Sequence, residues 1–310
     1  MLIVRFSSIG DILLCTPVIR CFKQQKQAHV TFLTSAKFKS LLKNNPFIDE
    51  IVDDEGGIKV VRDWVQLQNF DLIIDLHKNR KSWLITFLSG APVIRYDKFN
   101  LRKWWYVQTK HNTLPNQHLV DRYFEALASQ HVVNDGAGLN YFIDPATKMP
   151  EVPADYNVLV MGAAHKTKRI PVEIATLWVA ASQYTVVIIG GNDVINEGRE
   201  IEIKLGAQVV NLTGTLSIDQ SAKVLSGANR VLTGDTGMMH LAAALGKDII
   251  VLWGNTTPSF GMFPYLGIDR GKWISKEVTG LKCRPCSKLG FNDCPKGHFR
   301  CMMDQKSESW

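Results

Sequence analysis

The alternation of short apolar runs with amphipathic stretches, begun at the N-terminus and begun again after a proline-rich break, is what most narrows the folds open to this chain. Leu2–Phe6, Val30–Leu33, Ile51–Val52 and Leu72–Leu76 read as strands, and Ile12–Gln24, Ala36–Lys43 and Trp83–Leu88 as helices. Runs such as Leu72-Ile-Ile offer no polar side, so these strands must be covered on both faces. That is the condition of a parallel sheet lying between helices. Residues 144–155 then carry three prolines in twelve positions and read as a linker. Beyond it the pattern restarts, with strands at Val158–Met161, Thr185–Ile189, Val209–Leu212, Arg230–Leu232 and Ile249–Leu252. Helices alternate with them at Val172–Ser182, Val194–Leu205, Ile218–Leu225 and Met238–Leu245. The expectation is an α/β protein of two Rossmann-like, doubly wound domains, residues 1–150 and 151–310, facing each other across a cleft. Ligands bind such sheets beyond the carboxyl ends of the strands.

A length of 310 residues suits two domains of roughly 150 residues each. There is no run of 18 apolar residues, so no spanning helix is expected, and the apolar start before Arg5 is too short for a secretory signal. A cytosolic protein is expected. The net charge is +7, and Lys78, Arg80, Lys81, Arg95, Lys98, Arg102, Lys103 and Lys110 face only Asp97 within residues 78–110. Such a stretch favours an anionic partner, or is simply a solvated basic face. The phosphate and dinucleotide fingerprints G-x-x-x-x-G-K-[ST] and G-x-G-x-x-G are absent, as is the nucleophile elbow G-x-S-x-G.

Four stretches can carry chemistry. In Arg5-Phe-Ser7-Ser8-Ile-Gly10-Asp11, a strand runs through a tight turn into a helix, which sets Asp11 at the helix N-terminus. Asp11 there is either a helix cap or a general base. In Met161-Gly-Ala-Ala-His-Lys-Thr-Lys168-Arg-Ile-Pro171, lysines precede a helix start and form either an anion site or an exposed basic loop. In Gly234-Asp235-Thr236-Gly237-Met-Met-His240, a strand ends in a small-residue turn that opens a helix. The turn's amides suit a phosphate and Asp235 suits sugar hydroxyls. Finally, Cys283, Cys286, Cys294 and Cys301 cluster with His298. Structural zinc, free thiols and disulfides all stay open, although a cytosolic setting disfavours disulfides. Cys15 and Cys21 read as small buried apolar residues.

The opening Arg5-x-Ser7-Ser8-x-Gly10-Asp11 with Pro17, the stretch Gly234-Asp235-Thr236-Gly237-x-x-His240 and the cysteine-rich end together resemble the lipopolysaccharide heptosyltransferases, glycosyltransferase family 9. The resemblance implies a GT-B fold, inversion at the anomeric carbon and no metal in catalysis. It implies ADP-heptose as donor and a phosphorylated, lipid A-linked core sugar as acceptor, with the protein peripheral on the inner membrane and no nucleic-acid partner. Asp11 then matches the base and Lys168 the ligand of the donor diphosphate. Asp235, Thr236, Gly237 and His240 match the donor-site stretch, and Asp193 an acid near the nucleoside. Ser8, Gly10, Lys78, Arg80, Arg102 and Lys103 fall to the acceptor, with Trp104 and Trp105 either at the membrane interface or in the core. The family usually has an aromatic residue before the proline where this chain reads Arg169-Ile-Pro171. Two readings compete: the same fold with another nucleotide sugar and glycan, and a nucleotide-binding module without turnover.

Overall fold

The computed structural model describes all 310 residues. They form two compact units, one of Met1–Lys98 with Gln117–Phe142, the other of Phe99–Asn116 with Ile143–Trp310.

The first unit runs β1 (Leu2–Val4), α1 (Ile9–Leu13), α2 (Thr16–Lys26), β2 (Thr31–Leu33), β3 (Glu50–Val52), α3 (Gly57–Leu67), β4 (Ile73–Asp75), α4 (Arg80–Thr86) and β5 (Val93–Arg95). The chain then leaves for α5 (Asn100–Thr109), which belongs to the second unit, and returns for α6 (Leu119–Ala126). All five strands are parallel in the order β3-β2-β1-β4-β5, with Val4 paired to Leu33 on one side and Asp75 on the other. Leu2, Val4 and Phe6 pack against Val61 and Val65 of α3 and Ile85 of α4, so β1 is wholly buried, as its unbroken apolar sequence requires. The helix expected over Ile12–Gln24 is two helices. The chain breaks at Leu14-Cys15 and restarts at Thr16-Pro17, because a proline has no N–H to continue the ladder but suits a first helical turn.

The second unit runs β6 (Tyr156–Val160), α7 (Val172–Ala180), β7 (Thr185–Ile189), α8 (Ile195–Leu205), β8 (Val209–Asn211), α9 (Ile218–Gly227), β9 (Arg230–Gly234), α10 (Gly237–Ala244), β10 (Asp248–Trp253), β11 (Trp273–Glu277) and α11 (Arg300–Met303). Its parallel sheet has the order β11-β10-β9-β6-β7-β8. Trp178, Ile188, Leu232, Leu252 and Met302 share its core with the final residue. The indole of Trp310 donates to the Trp178 carbonyl at 2.6 Å, and Asn157 donates to the Trp310 carbonyl at 3.0 Å.

Within each sheet the first and fourth strands are neighbours and the winding direction reverses between them. The ligand-binding switch points therefore lie at the carboxyl ends of β1 and β4 in one unit and of β6 and β9 in the other. No helix is long and apolar enough to cross a membrane.

Candidate active site

At the first switch point the chain leaves β1 and turns at Ser8, the N-cap of α1. Asp11 is therefore not the cap itself but the third helical residue, and it closes a capping box. Its Oδ2 accepts from the Ser8 amide at 3.1 Å and from the Ser8 hydroxyl at 2.9 Å. Its Oδ1 is ion-paired with Arg5. Arg5 is only 6 % exposed and also donates to the carbonyls of Ser7 and Leu76, the latter just past β4. Burial works against the guanidinium charge, but the Asp11 carboxylate together with the acidic groups of Tyr123, Tyr96 and Cys15 outweighs it and raises the Arg5 pKa above its ordinary value. The carboxylate is thus locked in position by two donors and a buried cation.

The β4 side of this switch point supplies a residue that sequence reasoning passed over, His77. Its ring packs edge-on to Phe6 with centroids 5.2 Å apart, and Lys81 sits 4.2 Å over the other partner, the Phe6 ring. The imidazole Nδ1 is buried without a partner. Burial and then the charges of Arg5 and Lys98 push the His77 pKa down to about 4, so the ring is neutral near pH 7. The available signal was its place directly after a buried strand end, Asp75-Leu76-His77. Asp75 itself is structural: it is fully buried and accepts from the amides of His77 and Lys78, the Ser82 hydroxyl and Arg95.

The second switch point gathers the other two stretches. After β6, residues Lys166–Lys168 form one turn of 3-10 helix, and Lys168 Nζ lies 2.8 Å from Asp235 Oδ2, just past β9. The Thr256 hydroxyl donates to the same oxygen at 2.7 Å. Thr236 is the N-cap of α10, its hydroxyl accepting from the Met239 amide at 3.4 Å, and Gly237 is the first helical residue. His240 is buried in the first turn of this helix. Two glycines make the assembly possible. A Cβ on Gly234 would lie 2.3 Å from the Lys168 carbonyl oxygen, and one on Gly254 would lie 2.6 Å from that of Thr167. Any larger residue would push the lysine turn off the strand ends. Asp193, in the turn after β7, is drawn in through Arg169, whose guanidinium pairs with its carboxylate and donates to its carbonyl at 3.1 Å. The arrangement offers the ammonium of Lys168, the guanidinium of Arg169, first-turn amides without intrahelical partners and flanking carboxylates, which suits a diphosphate bearing a hydroxylated group.

The basic stretch does not form one patch. Lys81 is paired with Asp54 and Arg95 with Asp75, and Lys78 donates to the Tyr96 carbonyl at 2.8 Å, while Arg80 is exposed. Arg102, Lys103 and Lys110 belong to the second unit, where Lys103 lies over the Phe260 ring and Lys110 donates to the Pro285 carbonyl. Trp104 and Trp105 are exposed, which removes the core reading for both. Cys15 and Cys21 are buried, and burial raises the thiol pKa of each. Cys283, Cys286, Cys294 and Cys301 are all free thiols, and no three His, Cys, Asp or Glu side chains come together as a metal-holding group. A cavity of about 340 Å³ beside β5, lined by Trp83, Phe87, Leu88 and Arg95 among others, contains none of the motif residues.

The profile of glycosyltransferase family 9 (heptosyltransferase) matches residues 61–266, a stretch that holds Lys168, Asp193, Asp235, Thr236, Gly237 and His240 but not Asp11. Lipopolysaccharide heptosyltransferase 1 of Campylobacter coli is 23% identical over 316 residues, covering 90% of this chain and 91% of that protein. Lipopolysaccharide heptosyltransferase 1 of Pseudomonas aeruginosa is 27% identical over 77% of this chain and 68% of its own length. Among solved structures, Escherichia coli heptosyltransferase WaaC with ADP is similar at a TM-score of 0.68 and 22% identity, covering 93% of this chain and 95% of that one. The shared architecture is the GT-B fold, with its two Rossmann-like sheets.

Proposed function

This chain belongs to glycosyltransferase family 9, the heptosyltransferases, and on that premise we propose that it moves heptose from ADP-heptose to a phosphorylated, lipid A-linked core sugar of lipopolysaccharide. The observation that carries the reading is the Lys168–Asp235 pair at the second switch point. The second unit is the donor unit. Lys168 has three donors, so it can keep Asp235 and still neutralise a phosphate oxygen. The amides at the start of α10 take the remaining charge. His240 completes that wall, and Asp193 lies on the nucleoside side.

The first unit activates the acceptor. Asp11 takes the proton of the acceptor hydroxyl, the oxygen forms its bond to the anomeric carbon, and the bond to the diphosphate breaks with its electron pair leaving on ADP. A single displacement inverts the anomeric centre, and it needs positioning, a base and a stabilised leaving group. Ser8, Gly10, Lys78 and Arg80 are the first unit's binding groups for the acceptor. The enzyme works in the cytoplasm at the inner-membrane surface. The four C-terminal thiols lie close enough for the other three to act on the Cys301 pKa, which burial pushes up to about 12. A structural zinc would need them to close in further. One zinc per purified chain, resistant to a chelator, supports that centre, whereas four titratable thiols without zinc remove it.

Calorimetric titration with ADP, UDP and GDP, followed by a transfer assay with ADP-heptose, tests the main reading. Selective ADP binding with transfer to a lipid A-linked acceptor supports it. A preference for UDP or GDP discards the heptose donor, and no nucleotide binding at all discards the transferase reading of the site.

A further inference from the structure

The helix α5 has no buried residue, yet it is rich in large apolar side chains. Its inner side is satisfied. Tyr106 packs edge-on to Phe260 with centroids 5.9 Å apart, Lys103 covers the same ring, Lys288 reaches Asn100 at 3.3 Å, and Lys110 holds the Pro285 carbonyl at 2.8 Å. The outer side carries Leu101, Trp104 and Trp105 at positions i, i+3 and i+4, which a helix brings to one face. They are 83 %, 58 % and 47 % exposed. Left-handed residues, Phe99 and Lys110, bound the helix at both ends, so this face is presented as a discrete ridge. Around it, residues 97–110 hold Lys98, Arg102, Lys103 and Lys110 against the single acid Asp97.

We propose that α5 is the surface by which this protein rests on an anionic lipid bilayer, with Leu101, Trp104 and Trp105 seated among the headgroups and the exposed Arg102 beside them at the lipid phosphates. The proposal deepens the lipid-linked acceptor reading above and rests on it for its purpose. Three physical points select this occupant. Indole rings favour the headgroup region, where one part of the ring is apolar and the N–H stays wet. A helix of ten residues is about 15 Å long, half of a hydrocarbon core of about 30 Å, so it lies in the interface rather than spanning it. The positive excess matches the charge of anionic headgroups. The other exposed aromatic cluster, Trp83 stacked on Phe87 beside Leu88, lacks this last feature. Its neighbouring cations Lys81 and Arg95 are each matched by a carboxylate, Asp54 and Asp75, whereas the four cations of residues 97–110 stand against one acid.

The test is binding of the full chain to phosphatidylcholine vesicles with and without phosphatidylglycerol, by sedimentation at low and high salt. The unchanged protein should bind the anionic vesicles in a salt-sensitive manner. The triple variant Leu101→Ser, Trp104→Ser, Trp105→Ser should bind about tenfold more weakly or worse. Trp83→Ser with Leu88→Ser should bind as the unchanged protein does. All three proteins should keep the same ADP affinity and melting temperature, because the substituted side chains are exposed. Triple-variant binding equal to that of the unchanged protein would overturn the proposal, as would indifference of the unchanged protein to both vesicles. A loss carried by Trp83 and Leu88 instead would also overturn it. Self-association of the unchanged chain, abolished in the triple variant and without vesicle binding, would assign the ridge to a second copy and equally sink the lipid surface. Intact ADP binding without vesicle binding refutes the docking surface alone, whereas absent ADP binding refutes the donor reading whatever the vesicles show.

Discussion

The two switch points use the same strand arrangement for opposite electrostatic ends. At the carboxyl ends of β1 and β4 the carboxylate is the less buried partner: the side chains of Asp11 and Arg5 are 20 % and 8 % exposed. At the ends of β6 and β9 a cation and a carboxylate, Lys168 and Asp235, are both partly exposed, and the lysine is the group with donors to spare. One end presents a fixed acceptor of hydrogen bonds and the other a fixed donor. A doubly wound sheet specifies where a ligand binds; the residue that follows the strand specifies which charge it meets. A transfer reaction needs one of each, a base for the incoming hydroxyl and a counter-charge for the departing diphosphate.

Removing the carboxylate should have the largest effect. Asp11→Asn preserves shape but not basicity, and turnover should fall about 10³-fold, within the range seen for loss of a general base. The same change leaves Arg5 buried without its counter-charge, so stability should also fall, by about 2–3 kcal/mol. ADP affinity, which the proposed reading assigns to the other unit, should not move. Steady-state kinetics beside ADP calorimetry reads both, and normal turnover by the variant would remove Asp11 from the mechanism.

Lys168→Ala should invert that pattern. If Lys168 neutralises the diphosphate as proposed, its loss should cost about 10²-fold in kcat/KM and weaken ADP binding, with the first unit's stability unaffected. If ADP binds the variant as tightly as before, the contrast between a base unit and a donor unit collapses.

Gly234→Ala is the finer probe of how the second site is held. The new methyl would meet the Lys168 carbonyl oxygen at 2.3 Å, a backbone atom that cannot rotate away. The turn must shift, at a cost of about 1–3 kcal/mol, typical of overpacking. Donor affinity should drop about tenfold although no ligand-contacting side chain has changed, an estimate that treats one displaced charged hydrogen bond as about 1.5 kcal/mol. Unchanged ADP affinity with lowered stability would show that the lysine turn is held by something other than its seat on β9.

These contrasts also mark what the sequence could and could not disclose. Strand ends followed by Asp11, by Lys168 and by Asp235-Thr236-Gly237 were visible as motifs, because a parallel sheet writes its buried strands as unbroken apolar runs. The pairing of Lys168 with Asp235 was not visible, since it depends on two loops 67 positions apart meeting over glycines whose need is steric rather than local. Arginine side chains are mostly exposed by type, and the burial of Arg5 follows only from the carbonyls and carboxylate that surround it. The helix α3 begins at Gly56-Gly57 without a strong cap, and β11 is a largely exposed edge strand reading Trp-Ile-Ser-Lys-Glu, so neither announced itself. The attachment of α5 to the second unit is set by Phe260 and Pro285, which lie far along the chain.

The smallest effect on turnover at neutral pH is expected at His77, whose role shows instead in stability and separates the two switch points by pH. Its pKa is about 4 in the folded protein against an ordinary 6.5. Between those values the unfolded chain takes up a proton that the native state refuses, so stability rises with pH across that window. The contribution is fully present above pH 6.5 and is lost as the pH falls toward 4. His77→Gln keeps a polar side chain of similar reach but cannot titrate. The difference in melting temperature between the unchanged protein and this variant should therefore shift against the unchanged protein on acidification from pH 6.5 to 4. Because Arg5 and Lys98 depress the His77 pKa, uptake of that proton places a third positive charge among them. Hydrogen exchange at β1 and β4 should accordingly accelerate more in the unchanged protein than in the variant, while exchange at β6 and β9 should be the same in both. Equal acid sensitivity of the two proteins at β1 and β4 would mean that the imidazole titrates normally, neither buried nor surrounded by positive charge as the geometry indicates.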